Sequence, residues 1–183
     1  MELRTSQTDP LRISTLRTGR GRIGMTICPG KIGVSQSGKS WMRDLATDLD
    51  LIKENGFTVV VTLMEWHELQ RYRVPHIGME AKNRGLRWVN YPIVDGNIPS
   101  DEWAPAWKDI SAILRKEIDS FGGILIHCLG GLGRTGTVAS MLLQDTGIPA
   151  ETSVDQIRSC RPGAIENLLQ EEFVRDYRDW VVS

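Results

Sequence analysis

The sequence is poor in cysteine and has no long apolar run. Its three cysteines, Cys28, Cys128 and Cys160, are too few and too scattered for a disulfide framework or a zinc site, which favours a reducing environment. The start of the chain lacks the apolar run of a signal peptide. Apolar stretches such as residues 57–64 are far shorter than the roughly 20 residues that cross a bilayer. We therefore predict a cytoplasmic protein without a membrane span.

The chain also has almost no net charge. The formal net charge is -1 and the isoelectric point is about 6.3, so no overall positive field draws the protein to nucleic acid or to an anionic membrane. Any attraction for phosphate must be local. No repeat or low-complexity linker divides the 183 residues, which are enough to bury one sizeable core. We predict a single domain over residues 1–183, with residues 1–9 as a loose polar tail.

Short apolar runs alternate with segments of helical spacing along the chain. The predicted strands cover residues 11–16, 22–28, 58–63, 87–94 and 123–126. The predicted helices cover residues 41–55, 101–118, 135–144, 154–160 and 166–181. Strands separated by helices indicate an α/β layer fold with a mainly parallel sheet.

The most informative stretch is residues 124–140, ILIHCLGGLGRTGTVAS, in which an apolar strand runs through a glycine-rich loop into a helix. Gly130, Gly131 and Gly133 permit the unusual backbone angles that turn successive N–H groups inward. The helix that follows presents the positive end of its dipole to the same point. This order of elements predicts a cradle for a phosphate dianion.

Cys128 stands at the mouth of this loop, where the N–H groups and the helix dipole stabilise a thiolate. Arg134 follows after five intervening residues, and its planar fork can hold two phosphate oxygens and the charge of a transition state. An isolated cysteine is more often a buried structural residue. Because the strand, the glycines and the arginine coincide here, we interpret Cys128 as a nucleophile and Arg134 as a phosphate clamp.

The sequence His127-Cys128, five residues and Arg134-Thr135-Gly136 resembles the phosphate-binding loop of the protein tyrosine phosphatases. The loop HCLGGLGR is most similar to that of the kinase-associated phosphatases, the cyclin-dependent kinase inhibitor 3 type of dual-specificity phosphatase. Further residues that match this type are Glu68, Leu69, Tyr72, Arg73, Val74, Pro75, Pro92, Ile93, Asp95, Gly96, Gly163, Ala164, Ile165 and Gln170. The resemblance implies a three-layer cysteine-phosphatase fold, in which helices flank a central, mainly parallel sheet of about five strands.

The resemblance also implies roles for the residues around the nucleophile. Those that would bind phosphate together with Arg134 are Leu129, Gly130, Gly131, Leu132 and Gly133. Thr135 matches a hydroxyl residue that assists thiolate stabilisation and breakdown of the phosphoenzyme. His127 matches a histidine that orients the loop and tunes the cysteine, so we give it a supporting role without proton transfer.

A phosphatase of this kind needs a general acid, because an alkoxide or phenoxide leaves poorly unless it is protonated. Asp95 is the candidate, since it follows an apolar strand and enters the turn DGNIPS at a strand end, where open α/β sheets bind ligands. Aspartate before glycine is common in turns, but the family match favours the catalytic role, with Asp101 as the alternative acid. Gln170 matches a glutamine that positions water in related enzymes, and Glu166 stands where the kinase-associated type has a glutamine.

A second phosphate motif competes with the cysteine loop. Residues 33–40, GVSQSGKS, match the nucleotide-binding P-loop pattern letter for letter. In P-loop enzymes the glycine loop follows its strand directly, whereas four residues intervene here after the predicted strand. We therefore expect a surface loop that caps a helix starting at Trp41, with nucleotide binding as the alternative.

Together these features predict a cysteine-dependent phosphatase that hydrolyses phosphotyrosine, phosphoserine or phosphothreonine in proteins through a phosphocysteine intermediate. No cofactor and no metal are expected. The expected partner is a phosphorylated protein, with a kinase as one candidate by analogy only. Two alternatives stay open: a pseudophosphatase that binds phosphorylated partners without turnover, and a phosphatase that acts on a non-protein phosphoester.

Overall fold

The computed structural model describes residues 3–34 and 38–182. The strands are β1 (Leu3–Thr5), β2 (Ser14–Thr18), β3 (Gly21–Thr26), β4 (Ile32–Val34), β5 (Ser40–Met42), β6 (Val59–Thr62), β7 (Arg87–Asn90) and β8 (Gly123–His127). The α-helices are α1 (Leu45–Glu54), α2 (Trp66–Arg71), α3 (Ile77–Asn83), α4 (Ala104–Asp119), α5 (Gly133–Asp145), α6 (Ala150–Cys160) and α7 (Leu168–Val182), and a 3-10 turn (Asp101–Trp103) precedes α4. None of the helices in these ranges is long and apolar enough to span a membrane.

Five strands form the central sheet in the order β2, β3, β8, β6, β7. Strands β3, β8, β6 and β7 run parallel, and β2 pairs antiparallel with β3 at one edge. Strands β6 and β8 are mainly apolar and are buried along their whole length, as expected of parallel strands covered on both faces. The predicted α/β fold with a mainly parallel sheet is confirmed.

Helices cover both faces of this sheet. On one face, α1 and α3 pack through Leu49, Ile52 and Ile77 against the strand residues Val60 and Leu125. On the other face, α4, α5, α6 and α7 pack against the strand residues of opposite parity, as the two-residue period of a strand requires. The molecule therefore has the three layers that the resemblance implied.

The carboxyl ends of the parallel strands lie at one edge of the central sheet, where ligands bind in folds of this kind. Cys128 follows β8, Glu65 lies just beyond β6, and the turn at Asp95 comes after β7. The segment from Cys28 to Lys31 lies beyond the end of β3. This edge therefore collects segments that are far apart in the sequence.

The N-terminal segment does not match the prediction of a loose tail over residues 1–9. Strand β1 pairs parallel with β5, and Arg43 Nη1 donates to the carbonyl oxygen of Asp9 at 2.7 Å. Ser6 is buried, and its hydroxyl group accepts from Asp44 N at 2.9 Å. Residues 3–9 are thus held by backbone pairing and by polar side chains, while residues 1 and 2 lie outside the described residues.

The described residues of the stretch 33–40 belong to a β-hairpin. Strands β4 and β5 pair antiparallel, with Gly33 opposite Trp41, and residues 35–37 between them lie outside the described residues. Helix α1 starts at Leu45 and not at Trp41, because the carboxylate of Asp44 caps it by accepting from Thr47 N at 2.7 Å. The hairpin therefore neither joins a strand to a helix nor caps α1.

Candidate active site

Hydrogen bonds to the backbone carbonyl groups of the loop between β8 and α5 fix its conformation. Leu129 O accepts from Lys31 Nζ at 3.2 Å and from a backbone N–H beyond β3 at 3.3 Å. The guanidinium group of Arg161 donates to Gly131 O and, at 3.4 Å, to Gly130 O. Because N–H and C=O point in opposite directions across a trans peptide, carbonyl groups tied outward turn the following N–H groups into the loop.

The sulfur of Cys128 faces these N–H groups. Gly131 N donates to Cys128 Sγ at 3.2 Å, and α5 begins directly after the loop. Both features direct the positive ends of backbone dipoles at the sulfur. The sulfur borders a cavity of about 190 Å³, whose wall also includes Lys31, Asp95, Arg134, Glu166 and Gln170. A small cavity with converging N–H donors suits a phosphoryl group.

Among the three loop glycines, Gly131 adopts the unusual backbone angles that all three permit. Its φ is +67°, and a Cβ atom there would lie 2.2 Å from Thr26 O. Gly133 meets a different constraint, because a Cβ atom there would lie 2.9 Å from the side chain of Gln170. Gly130 has open space around it. Backbone conformation therefore requires glycine at Gly131, whereas a Cβ atom at Gly133 would displace the side-chain ends of Glu166 and Gln170.

A bidentate ion pair fixes Arg134. Glu68 accepts from Nη1 at 2.7 Å and from Nη2 at 2.9 Å, and the arginine side chain is 1% exposed. Burial opposes the charge, but the hydrogen bonds with Glu68 outweigh it and raise the pKa of Arg134 above its ordinary value. Arg134 Nε is buried and has no hydrogen-bond partner among the described residues. The guanidinium group therefore keeps one nitrogen without a protein partner among the described residues.

The turn at Asp95 reaches the same guanidinium group. Asp95 Oδ1 lies 2.8 Å from Arg134 Nη2, and the aspartate side chain is 52% exposed. Asn167 Nδ2 and Gln170 Nε2 donate to the carbonyl groups of the next two residues, at 2.9 and 3.3 Å, and so hold the turn in place. A carboxyl group in this position is accessible to water and lies in the wall of the cavity.

Gln170 is fully buried in the cavity wall. Its Oε1 accepts from Glu166 N at 2.9 Å, while its Nε2 holds the Asp95 turn. With both ends of the amide bonded, the group has one fixed orientation. The side chain of Glu166 lines the same cavity.

His127 and Thr135 lie in the interior beside the loop. His127 Nε2 lies 2.8 Å from Thr62 Oγ1, which also accepts from Trp88 Nε1 at 2.9 Å. Burial lowers the pKa of His127 to about 4, so the ring is neutral at neutral pH. Thr135 Oγ1 is buried with no partner among the residues that the structure describes. The supporting roles of both residues stay predictions.

Two residues of the site, Glu68 and Lys31, were missed as functional candidates. Glu68 matched the family pattern, but its pairing with Arg134 joins residues 66 positions apart and has no local signal. Lys31 is buried, its Nζ lies 4.4 Å from the centroid of the Trp41 ring, and burial lowers its pKa to about 8. Burial raises the pKa of neighbouring Cys28 to about 12, so that residue stays a thiol. Lys31 thus supplies the cation beside the loop.

The predicted alternatives lie elsewhere. Asp101 Oδ1 accepts from Trp180 Nε1 at 2.8 Å, and Asp101 does not line the catalytic cavity. The described residues of the stretch 33–40 do not line it either. The cavity is therefore built around the cysteine loop and not around the P-loop pattern.

The range that carries most of this site matches a known family. A family profile described as "Polymorphic toxin system, DSP-PTPase phosphatase" matches residues 32–148, more than half of the chain. The chain belongs to this family. The matched range contains Glu68, Asp95 and the whole cysteine loop, whereas Arg161 and Gln170 lie beyond it.

Individual proteins of known identity are similar to this chain over most of its length. Human cyclin-dependent kinase inhibitor 3 is 30% identical over 178 residues, which cover 93% of this chain and 80% of that protein. Human protein tyrosine phosphatase type IVA 3 is 28% identical over 135 residues, 73% of this chain and 72% of that protein. A crystal structure of kinase-associated phosphatase, with its catalytic-site cysteine changed to serine, has a TM-score of 0.82 at 26% identity and covers 94% of this chain and 97% of that one. The predicted resemblance is confirmed: the protein has a cysteine-based phosphatase fold, and its relatives are protein tyrosine and dual-specificity phosphatases.

Proposed function

We propose that the protein hydrolyses phosphotyrosine, phosphoserine or phosphothreonine in proteins without a metal, with Cys128 as nucleophile and Arg134 as phosphate clamp. The observation that carries this proposal is the contact of 3.2 Å between Gly131 N and Cys128 Sγ, in a loop whose carbonyl groups are tied outward. Such N–H groups stabilise negative charge on the sulfur before the reaction and on the phosphoryl oxygens during it.

In the first step, the Cys128 thiolate attacks phosphorus, so that an S–P bond forms while the P–O bond to the leaving group breaks. Asp95 donates its proton to the departing oxygen, which leaves as an alcohol or a phenol. The loop N–H groups and Arg134 Nε hold the other phosphoryl oxygens. The bond between Glu68 and Arg134 keeps the guanidinium group in place for this task.

In the second step, water attacks the phosphocysteine and Asp95 takes up a proton from it. The S–P bond breaks, inorganic phosphate leaves and the thiolate is restored. Gln170 orients the water, and the hydroxyl group of Thr135 stabilises the departing sulfur. His127 acts through its position, because its lowered pKa of about 4 keeps it uncharged at neutral pH.

The names of the relatives support a phosphoprotein as the substrate and partner. They include a protein tyrosine phosphatase and a kinase-associated phosphatase, and a kinase is one candidate partner by analogy. A cytoplasmic location is part of the proposal and is supported by the free thiols of Cys28, Cys128 and Cys160. Cell fractionation tests the location, and recovery of the protein outside the cytoplasm would contradict it.

The test of the proposed chemistry is hydrolysis of para-nitrophenyl phosphate in the presence of a metal chelator. Wild type turns over, Cys128→Ser loses at least about a thousandfold in kcat, and Asp95→Asn loses roughly a hundredfold when the leaving group is a poor one such as an alkyl phosphate. Cys128→Ser still binds vanadate. Turnover by Cys128→Ser would refute the thiolate mechanism. An inert wild type that binds phosphate would support the pseudophosphatase. Turnover of para-nitrophenyl phosphate without turnover of phosphopeptides would indicate a non-protein phosphoester as the substrate.

A further inference from the structure

A second cavity, of about 330 Å³, lies beside the catalytic one. Its wall includes Arg12, which precedes β2, and Ile27, which follows β3. Strand β3 runs parallel to β8, and β2 runs antiparallel to β3. Both positions therefore lie at the carboxyl ends of β3 and β8, where the cysteine loop also lies. With neighbouring strands about 5 Å apart, Arg12 lies about 10 Å across the sheet from the catalytic loop.

Residues of the two cavity walls contact each other. Arg161 lines the second cavity and donates to the carbonyl group of Gly130, a residue that lines the catalytic cavity. Lys31 lines the catalytic cavity, and its Nζ stands 4.4 Å from the centroid of the Trp41 ring, which lines the second one. An extended substrate can therefore place one group in each cavity while it lies along a single surface.

The second cavity is basic, although the whole chain has a formal net charge of -1. Four of its wall residues are arginines, and one is an aspartate. Arg43 is fully used, since it donates to Asp48 through Nε and Nη2 at 2.7 and 2.8 Å and to the backbone of Asp9 through Nη1. Arg4 donates to the carboxylate of Asp9 at 3.0 Å. Asp48 and Asp9 thus neutralise two of the four arginines, while Arg12 and Arg161 have no acidic partner among the described residues.

Two donors in the second cavity have no protein partner. The guanidinium group of Arg12 is exposed and makes no hydrogen bond or ion pair within residues 3–34 and 38–182. Trp41 Nε1 is buried and is unpartnered over the same ranges. A buried indole N–H ordinarily finds an acceptor. The backbone of Arg12 is anchored, because Thr26 Oγ1 donates to its carbonyl group at 2.8 Å. An exposed cation on an anchored backbone, in a cavity lined by four arginines, suits an oxyanion.

The opposite flank of the catalytic cavity has the reverse charge. A third cavity, of about 470 Å³, lies beyond the Asp95 turn and is lined by Glu65, Asp101, Glu102 and Trp103. Additional negative charge on a substrate is repelled from that flank and attracted to the side of Arg12. The surface therefore distinguishes the two directions along a bound polypeptide.

We propose that the cavity lined by Arg4, Arg12 and Trp41 is a subsite for a second anionic group, a phosphate or a carboxylate, carried by the same substrate polypeptide. This inference rests on the proposed protein phosphatase function. An extended chain advances about 3.3 Å per residue. The second group accordingly lies about three residues from the phosphorylated side chain that enters the catalytic cavity.

The test compares phosphotyrosine peptides that have alanine, glutamate or phosphoserine three residues from the phosphotyrosine, on either side. For wild type, kcat/KM rises about tenfold with the second anion on one side of the phosphotyrosine, as a charge-assisted hydrogen bond predicts. Arg12→Glu removes this preference and keeps its activity on para-nitrophenyl phosphate and on the alanine peptide within about twofold. Arg17→Glu changes an exposed arginine of β2, the strand that follows Arg12, toward the opposite end of that strand, and it keeps the preference.

The second measurement is direct binding of the same peptides to the Cys128→Ser variant, followed at the indole N–H resonance of Trp41. The resonance shifts with the doubly charged peptides and not with the alanine peptide. Equal affinity for all peptides, or an equal effect of Arg12→Glu and Arg17→Glu, would overturn the subsite. A rise with phosphoserine but not glutamate assigns the subsite to phosphate, and a rise with both assigns it to either anion. Failure to hydrolyse para-nitrophenyl phosphate would instead count against the proposed function, because the binding measurement needs no turnover.

Discussion

The catalytic loop, residues 128–134, and the hairpin of residues 33–40 are both rich in glycine, and each carries one basic residue. The catalytic loop joins the end of a buried parallel strand to the start of a buried helix. The hairpin instead joins two antiparallel strands of three residues each. Because strand pairing uses N–H groups of the hairpin, the strand-to-helix loop is the one in which several N–H groups can converge on a ligand.

A buried arginine paired with a carboxylate lies in the catalytic loop, and another lies three residues beyond the hairpin. Arg134 pairs with Glu68 at 2.7 and 2.9 Å, and Arg43 pairs with Asp48 at 2.7 and 2.8 Å. Arg43 uses Nη1 on the backbone of Asp9, whereas Arg134 Nε is unpartnered within the described ranges. A saturated arginine holds a structure together, and an arginine with an unused donor at a cavity is equipped to bind a ligand.

The largest expected difference between the two regions concerns their basic residues. Arg134→Lys removes the planar fork that Glu68 orients, so kcat/KM for para-nitrophenyl phosphate falls about a thousandfold. Lys39→Ala, the matched change in the P-loop pattern, leaves kcat/KM within about twofold. Thermal unfolding with magnesium and ATP shows no stabilisation of either wild type or Lys39→Ala. ATP-dependent stabilisation that Lys39→Ala abolishes would restore the nucleotide-binding alternative.

Low pH should reduce the stability of the folded protein through His127, which lies beside the catalytic loop. Its pKa is about 4 in the folded chain and 6.5 without burial, so the unfolded chain binds more protons between these values. Stability is therefore lost as the pH falls from about 6.5 to 4, by about 3 kcal/mol in full. Urea unfolding at several pH values measures this loss, and His127→Asn should show a shallower acid slope. Identical slopes for the two proteins would mean that the ring is not buried in its neutral form.

The broad layout was predictable because its signals are local. Continuous apolar runs marked the buried strands β6 and β8, and one uninterrupted stretch of sequence contains Cys128, the loop glycines and Arg134. The P-loop pattern was misleading because a motif of eight residues does not determine whether a strand precedes it and a helix follows it. Helical spacing suggested a helix from Trp41, but pairing of β5 with β1 and β4 prevailed over it.

The parts that sequence alone left out depend on contacts between distant segments. Strand β1 acquires its structure from β5, and the bond from Arg43 to Asp9 crosses 34 positions. Glu68 becomes part of the site through a residue 66 positions away. Lys31 becomes part of it because its segment passes beside the loop carbonyl of Leu129. Local periodicity carries no information about such pairings.

Two glycines with similar backbone angles sharpen the comparison further. Gly131 has a φ of +67° and Gly38 a φ of +74°, but a Cβ atom at Gly131 would lie 2.2 Å from Thr26 O, whereas none of the described atoms lies within 4 Å of one at Gly38. Gly131→Ala must therefore displace backbone, and we expect kcat/KM to fall about a hundredfold. Gly38→Ala costs about 1 kcal/mol of stability through its backbone angles and leaves kcat/KM unchanged. Equal losses of activity in the two variants would show that the loop geometry is not what sets the rate.

We expect the smallest difference in kcat/KM between variants of the two carboxylates that pair with the buried arginines. Glu68→Gln and Asp48→Asn each remove the charge from a buried pair and should each lower the free energy of unfolding by about 2 kcal/mol. Only Glu68→Gln should also lower kcat/KM, by about tenfold, because it loosens the guanidinium group that faces the cavity. Denaturant unfolding and kinetics at a temperature where both variants stay folded separate the two effects. If Asp48→Asn lowered kcat/KM as much, the Glu68 pair would act through stability alone, and the distinction between an arginine that holds structure and one that binds phosphate would fail.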